Sequence, residues 1–137
     1  METQNPSFKT LEVLVCDDDG LILKIIRHIL EAMGIGYIKT TKNPETAIML
    51  VREPTDKPFD FIVCDWNMPG MSGIEVLQKL RASGHQLPFI MLTSNATEEA
   101  VAEARDEGVA AYIAKPFTAE QVQRKVTAVA RRVLKDE

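Results

Sequence analysis

Five times along this chain a short apolar run gives way to a stretch whose apolar residues recur every three or four positions. No other feature of the sequence limits the fold so strongly. The runs are LEVLVC at residues 11–16, YIKTT at 37–41, FDFIVC at 59–64, LPFIMLTS at 87–94 and VAAYIA at 109–114. After the first, GLILKIIRHILEAMG puts Lys24, Arg27, His28 and Glu31 on one polar helical face. Asn43 and Pro44 read as the cap and first position of the second helix. SGIEVLQKLRASG and ATEEAVAEARDEG supply the third and fourth helices. Thr118 followed by Gln121 is a capping box for the fifth. Gly34, Gly84 and Gly108 stand where helices end in a left-handed residue. A helix between each pair of strands makes the strands parallel and covers the sheet on both faces, so the expected class is α/β, doubly wound.

At 137 residues the chain has room for one domain and its core, and no Ser/Gly-rich tract suggests a linker. Residues 1–10 read as an N-terminal extension and 11–135 as the domain, with no output domain. A formal net charge of -4 argues against nucleic acid and anionic membrane surfaces as partners. No apolar stretch approaches a membrane span, and METQNPSFKT lacks the character of a signal peptide, so a cytoplasmic location is expected. Cys16 and Cys64 each lie inside an apolar run and read as small buried hydrophobes rather than as a disulfide or a zinc site.

In parallel α/β sheets ligands gather beyond the carboxyl ends of the strands. Here the first strand ends in Asp17, Asp18 and Asp19, the third in Asp65, the fourth in Thr93 and Ser94, and the fifth in Lys115. Carboxylates converging from two strand ends repel one another unless a cation separates them. Hard oxygen donors without His or Cys suit a divalent ion, Mg²⁺ best, with Mn²⁺ and Ca²⁺ as other candidates. The plainer reading of Asp17 to Asp19 as turn and cap residues leaves Asp65 and Lys115 unexplained.

Asp17 and Asp18, the run DWNMPGMSG from Asp65 to Gly73, LTS around Thr93 and YIAKPF from Tyr112 to Phe117 resemble, in order and spacing, the receiver domain of two-component response regulators. The likeness spans roughly residues 11–134 and implies the CheY-like (flavodoxin-like) fold, with five parallel strands and helices on both faces. It implies that Asp65 accepts a phosphoryl group from a histidine kinase or a small phosphodonor with Mg²⁺, or Mn²⁺ in its place. Asp18 is implied as a direct metal ligand, Asp17 as a ligand through water, and Asn67 as the donor of a backbone carbonyl. Lys115 would meet the phosphoryl oxygens, held by a cis bond to Pro116. Thr93 would donate its hydroxyl to the phosphoryl group while Tyr112 turns inward, switching the surface of the fourth helix, fifth strand and fifth helix.

On that surface the fourth helix carries Glu98, Glu99, Glu103, Asp106 and Glu107, and the fifth carries Arg124, Lys125, Arg131, Arg132 and Lys135. The resemblance implies a histidine kinase and a downstream protein as partners, with a phosphatase as a further one. DWNMPGMSG, with Trp66 beside the acceptor, is similar to the chemotaxis branch, which points to a monomeric messenger to the flagellar motor switch. Asn67 and Asn95 hold positions tied to water access in this family, and Ser94 stands where many relatives carry Ala. The chain is expected to catalyse only its own phosphorylation and dephosphorylation. Alternatives are a phosphate sink or relay receiver and a docking module that works without phosphorylation. An aspartyl phosphatase fits less well, since its D-x-D-x-T would follow the first strand. For flavodoxin-like cofactor binding, DDDG would repel the phosphate.

Overall fold

Each of the five apolar runs forms a strand. The structure, a computed structural model, describes residues 6–94 and 97–135. Strands β1 (Glu12–Cys16), β2 (Tyr37–Thr41), β3 (Phe61–Asp65), β4 (Phe89–Thr93) and β5 (Ala111–Ala114) alternate with helices α1 (Gly20–Ala32), α2 (Pro44–Arg52), α3 (Gly73–Ala82), α4 (Glu98–Asp106) and α5 (Ala119–Lys135). The strands form one sheet in the order β2-β1-β3-β4-β5, and every pairing is parallel. The chain runs from β1 outward to β2 and then back past β1 to β3. The gap between β1 and β3 is thus the point where winding reverses and ligands are accommodated.

Side chains alternate across the sheet with period two, which gives two cores. Val13, Val15, Phe61, Val63, Ile90, Leu92 and Ile113 pack with α1 and α5 on one face. Leu14, Cys16, Ile62, Cys64, Phe89 and Met91 pack with α2 and α3 on the other. Strands β1, β3 and β4 are therefore buried almost throughout, while β2 and β5 form the edges and stay partly exposed.

The helix ends follow the local signals. The Asn43 side chain accepts the N–H of Thr46, with Pro44 at the first position. Thr118 and Gln121 exchange their hydrogen bonds at 3.1 and 2.9 Å. A second capping box, Ser72 with Glu75, opens α3. Such caps contribute about 1 kcal/mol each. Gly34, Gly84 and Gly108 have φ of 91°, 87° and 92°, the left-handed region in which a Cβ is penalised.

The β1 ladder begins at Glu12 rather than Leu11. Leu11 is nevertheless fully buried, and its carbonyl accepts the N–H of Tyr37. Residues Pro6–Thr10 form a 3-10 turn that inserts Phe8, 2% exposed, into the α1/α5 core. The carbonyl of Phe8 accepts the N–H groups of Leu11 and Gly36, which ties this turn to the start of β2.

Candidate functional site

Strands β1, β3, β4 and β5 bring their last residues to one end of the sheet, and Lys115 joins them. Its Nζ lies 2.9 Å from Asp17 Oδ2 and 3.0 Å from Asp65 Oδ1. Its backbone N–H donates to the carbonyl of Thr93 at 2.7 Å. Asp17 is fully buried, Asp65 is 5% exposed and Thr93 is fully buried, and these are the only buried polar or charged residues among those described. The peptide bond between Lys115 and Pro116 is cis.

The three aspartates after β1 divide between two tasks. Asp17 turns inward: Oδ2 meets Lys115 and Oδ1 accepts the N–H of Asp19. Asp18 is exposed at the rim. Asp19 caps α1, its side chain accepting the N–H of Leu21, so the plain cap reading holds for this one residue. Asp17, Asp18 and Asp65 each offer a carboxylate oxygen, and the three oxygens lie within 4.8 Å of one another. A set of hard anionic oxygens this close fits a divalent cation of the Mg²⁺ type and offers nothing to a soft metal.

The pocket holds opposing electrostatic demands. Burial raises the pKa of Asp65; Lys115 lowers it and the nearby Asp17 raises it, and the net result lies above the usual carboxylate value. Burial also disfavours the charged form of Lys115, but hydrogen bonds and attraction from Asp17 and Asp65 outweigh this and hold its pKa above the ordinary lysine value. One ammonium is thus shared by two buried carboxylates. A further positive charge at this point would relieve the excess.

The loop after β3 is anchored at its far end. The N–H of Gly73 donates to the carbonyl of Trp66 at 2.7 Å. A Cβ on Gly73 would run into the carbonyl of Asp65, so only glycine allows α3 to start so close to the strand. Asn67 is exposed at the loop's beginning, and Trp66 is half-buried against the α2/α3 core. Tyr112 also packs against that core. It lines a groove of about 300 Å³ with Val101, Pro116, Gln121, Arg124 and Lys125. Asn95 lies outside the described residues.

Comparison with known proteins places this geometry in a family. A family model described as the response regulator receiver domain matches residues 13–127. This chain belongs to the response regulator receiver family. The chemotaxis protein CheY-3 of Vibrio cholerae is 35% identical over 127 residues, covering 91% of this chain and 95% of the relative. The chemotaxis protein CheY of Pseudomonas aeruginosa is 34% identical over 125 residues, covering 90% and 98%. Among solved structures, a Francisella response regulator receiver domain superposes with a TM-score of 0.81 at 30% identity, covering 89% of this chain and 98% of that one. CheY4 of Vibrio cholerae gives 0.76 at 27% identity, covering 87% and 98%. The receiver fold and family expected from the sequence are thereby established. Receivers are phosphorylation-dependent switches of two-component systems that generally bind Mg²⁺ at an acidic pocket, and the aspartate cluster here could hold such an ion.

One further cationic residue stands at this end of the sheet. Lys42 follows β2 directly, and its Nζ and Cε lie 3.6 and 3.7 Å from where a Cβ on Gly20 would stand, at the start of α1. Its signal in the sequence is its position immediately after the last residue of β2.

Proposed function

We propose that this receiver takes a phosphoryl group on Asp65 and passes the event to the surface formed by α4, β5 and α5. The observation that carries the reading is Lys115 Nζ held between Asp17 Oδ2 and Asp65 Oδ1 at 2.9 and 3.0 Å. An ammonium so placed opposes the effect of burial on Asp65 and can meet the oxygens of an incoming phosphoryl group as a point charge.

In the proposed reaction a carboxylate oxygen of Asp65 forms the bond to phosphorus. The bond between phosphorus and the donor's leaving group breaks, and the leaving group departs with the electron pair. Asp17, Asp18 and Asp65, with the backbone carbonyl of Asn67, would hold Mg²⁺. The bound ion supplies neutralisation of charge on the transferring oxygens. Thr93, at the end of β4, donates its hydroxyl to the phosphoryl group, and Tyr112, packed on the adjacent β5, repositions in response. This is a two-state change biased by one local charge event. The donor is a histidine kinase or a small phosphodonor, and the responding surface docks a downstream protein. Likeness to chemotaxis proteins of Vibrio and Pseudomonas supports a chemotaxis role, with the flagellar motor switch as target. Residues 11–135 act as the receiver unit, which catalyses only its own phosphorylation and dephosphorylation.

Intact mass after incubation with acetyl phosphate and Mg²⁺ tests this. One phosphoryl group is expected on the native chain, and none on Asp65→Asn or in EDTA. Absence of the adduct in a rapidly quenched native sample would overturn the reading in favour of docking without phosphorylation.

A further inference from the structure

Directly beneath the carboxylates lies a second set of ligand atoms, which phosphoryl transfer does not use. Cys16 and Cys64 are register partners across β1 and β3, each one residue before the aspartate of its strand. Both are fully buried and neither is in a disulfide. They point into the same core from adjacent strands, and the Cys64 thiol donates to the carbonyl of Asp65 at 3.5 Å. The loop after β3 brings a third sulfur to the pair: Met68 Sδ lies 3.5 Å from Cys16 Sγ. Met91 stands next in the row, in register with Cys64, with its sulfur beneath Gly73 at the start of α3.

Single cysteines and methionines are common core fillers. Two thiols and a thioether gathered from two strands and a loop are also a donor set with a definite preference. Thioethers bind hard cations poorly, and zinc at a structural site wants four donors drawn from thiolate, imidazole and carboxylate. Soft d¹⁰ monovalent ions accept thiolate and thioether together. Charge points the same way, because burial in an apolar core disfavours any net charge. A monovalent ion that displaces one thiol proton to solvent forms a neutral site with one thiolate, one thiol and one thioether. At metal–sulfur distances of about 2.3 Å, as in zinc thiolates, trigonal ligands stand about 4 Å apart, so the 3.5 Å contact needs to open by only a few tenths of an ångström.

We propose that Cys16, Cys64 and Met68 form a binding site for a soft monovalent cation of the Cu(I) class. Met68, 8% exposed on the loop after Asp65, is the least buried of the three and marks the side of entry. The two layers of the sheet end then differ in selectivity. Oxygen donors at the surface take a hard divalent ion, and sulfur donors one residue deeper take a soft monovalent one.

The test is an anaerobic titration of the full chain with Cu(I) held by bicinchoninate, whose absorbance reports metal withdrawn from the chelator. The expected result is one Cu(I) per chain, with affinity unaffected by saturating Mg²⁺. Met68→Leu, which conserves volume, should weaken binding about tenfold. Cys16→Ala with Cys64→Ala should abolish it, with circular dichroism reporting the fold. If that double variant does not fold, Met68→Leu decides the matter. Failure to withdraw Cu(I), equal affinity in Met68→Leu, competition by Mg²⁺, or loss of two hydrogens from the intact mass in place of metal uptake would each overturn the proposal. The outcome is independent of whether Asp65 is phosphorylated.

Discussion

Helices α1 and α4 both begin at the carboxyl end of the sheet, yet they are held in different ways. Helix α1 spans 13 residues and buries Leu23, Ile26, Ile29 and Leu30 against the sheet and α5. Helix α4 spans nine residues and buries only Ala100 and Ala104. It lies on the side of α3, whose Gln78 donates to Glu107 just beyond the end of α4. One wall of the pocket is fixed by large aliphatic side chains, and the other is attached by two buried methyl groups, the half-buried Val101 and Ala102, and exposed polar contacts. Segments with few buried apolar contacts open at lower cost. Motion in response to a charge event is therefore expected on the side of α4 and β5, while β1, β3 and α1 hold the aspartates still.

The largest expected effect separates the two helices directly. Leu30→Ala in α1 should cost about 3 kcal/mol in urea unfolding, because it leaves a cavity in a fully packed core. Ala104→Gly in α4 should cost about 1 kcal/mol, mostly the helical penalty of glycine. Equal costs would break the comparison.

A smaller effect probes the charge stored on the fixed side. The Asp65 pKa is raised in the folded chain, so the folded state keeps its proton to higher pH than the unfolded state. Its contribution to stability is complete below the ordinary carboxylate value and is lost as pH rises through the raised value. In EDTA, Asp65→Asn should thus be nearly neutral in stability near pH 4. It should become progressively stabilising as pH rises toward neutrality. Urea midpoints at several pH values check this, and a difference independent of pH would remove the argument for strain at this pocket.

The smallest effect is optical. Trp66, half-buried beside Asp65, should change its emission saturably as Mg²⁺ is added, since ion binding alters the field at the indole while the strand beneath stays in place. A flat titration of folded protein would mean that the fixed side does not register the ion.

The features legible in the sequence are those encoded within one turn of chain. Asn43 with Pro44, Thr118 with Gln121, and the glycines after helices act on neighbours three or four residues away, and the structure has them as expected. The pairing of Asp17 with Lys115 spans 98 positions. That both residues stand at one end of the sheet is legible, because strand ends in a parallel sheet converge whatever lies between them; the ion pair itself is not. Three identical aspartates in a row could not be told apart by type. Only the direction of each side chain separates buried Asp17 from rim Asp18 and from Asp19 as a cap. The place of Phe8 in the core was hidden for a related reason, as a lone aromatic in a polar stretch has no periodicity to declare its face. The contact of Cys16 with Met68 joins residues 52 apart through a loop that no pattern describes.

The bond from the Gly73 N–H to the Trp66 carbonyl makes residues 66–73 a closed ring on the end of β3. Its two anchors are set by the backbone, one by a glycine that tolerates no replacement and the other by the strand itself. A ring of this kind behaves as an exchangeable cassette. Lengthening a closed loop adds little entropic cost, growing only with the logarithm of its length. Loops transplanted from other receivers between Trp66 and Gly73 could therefore change the chemistry around Asp65 while the sheet and its five helices remain as they are.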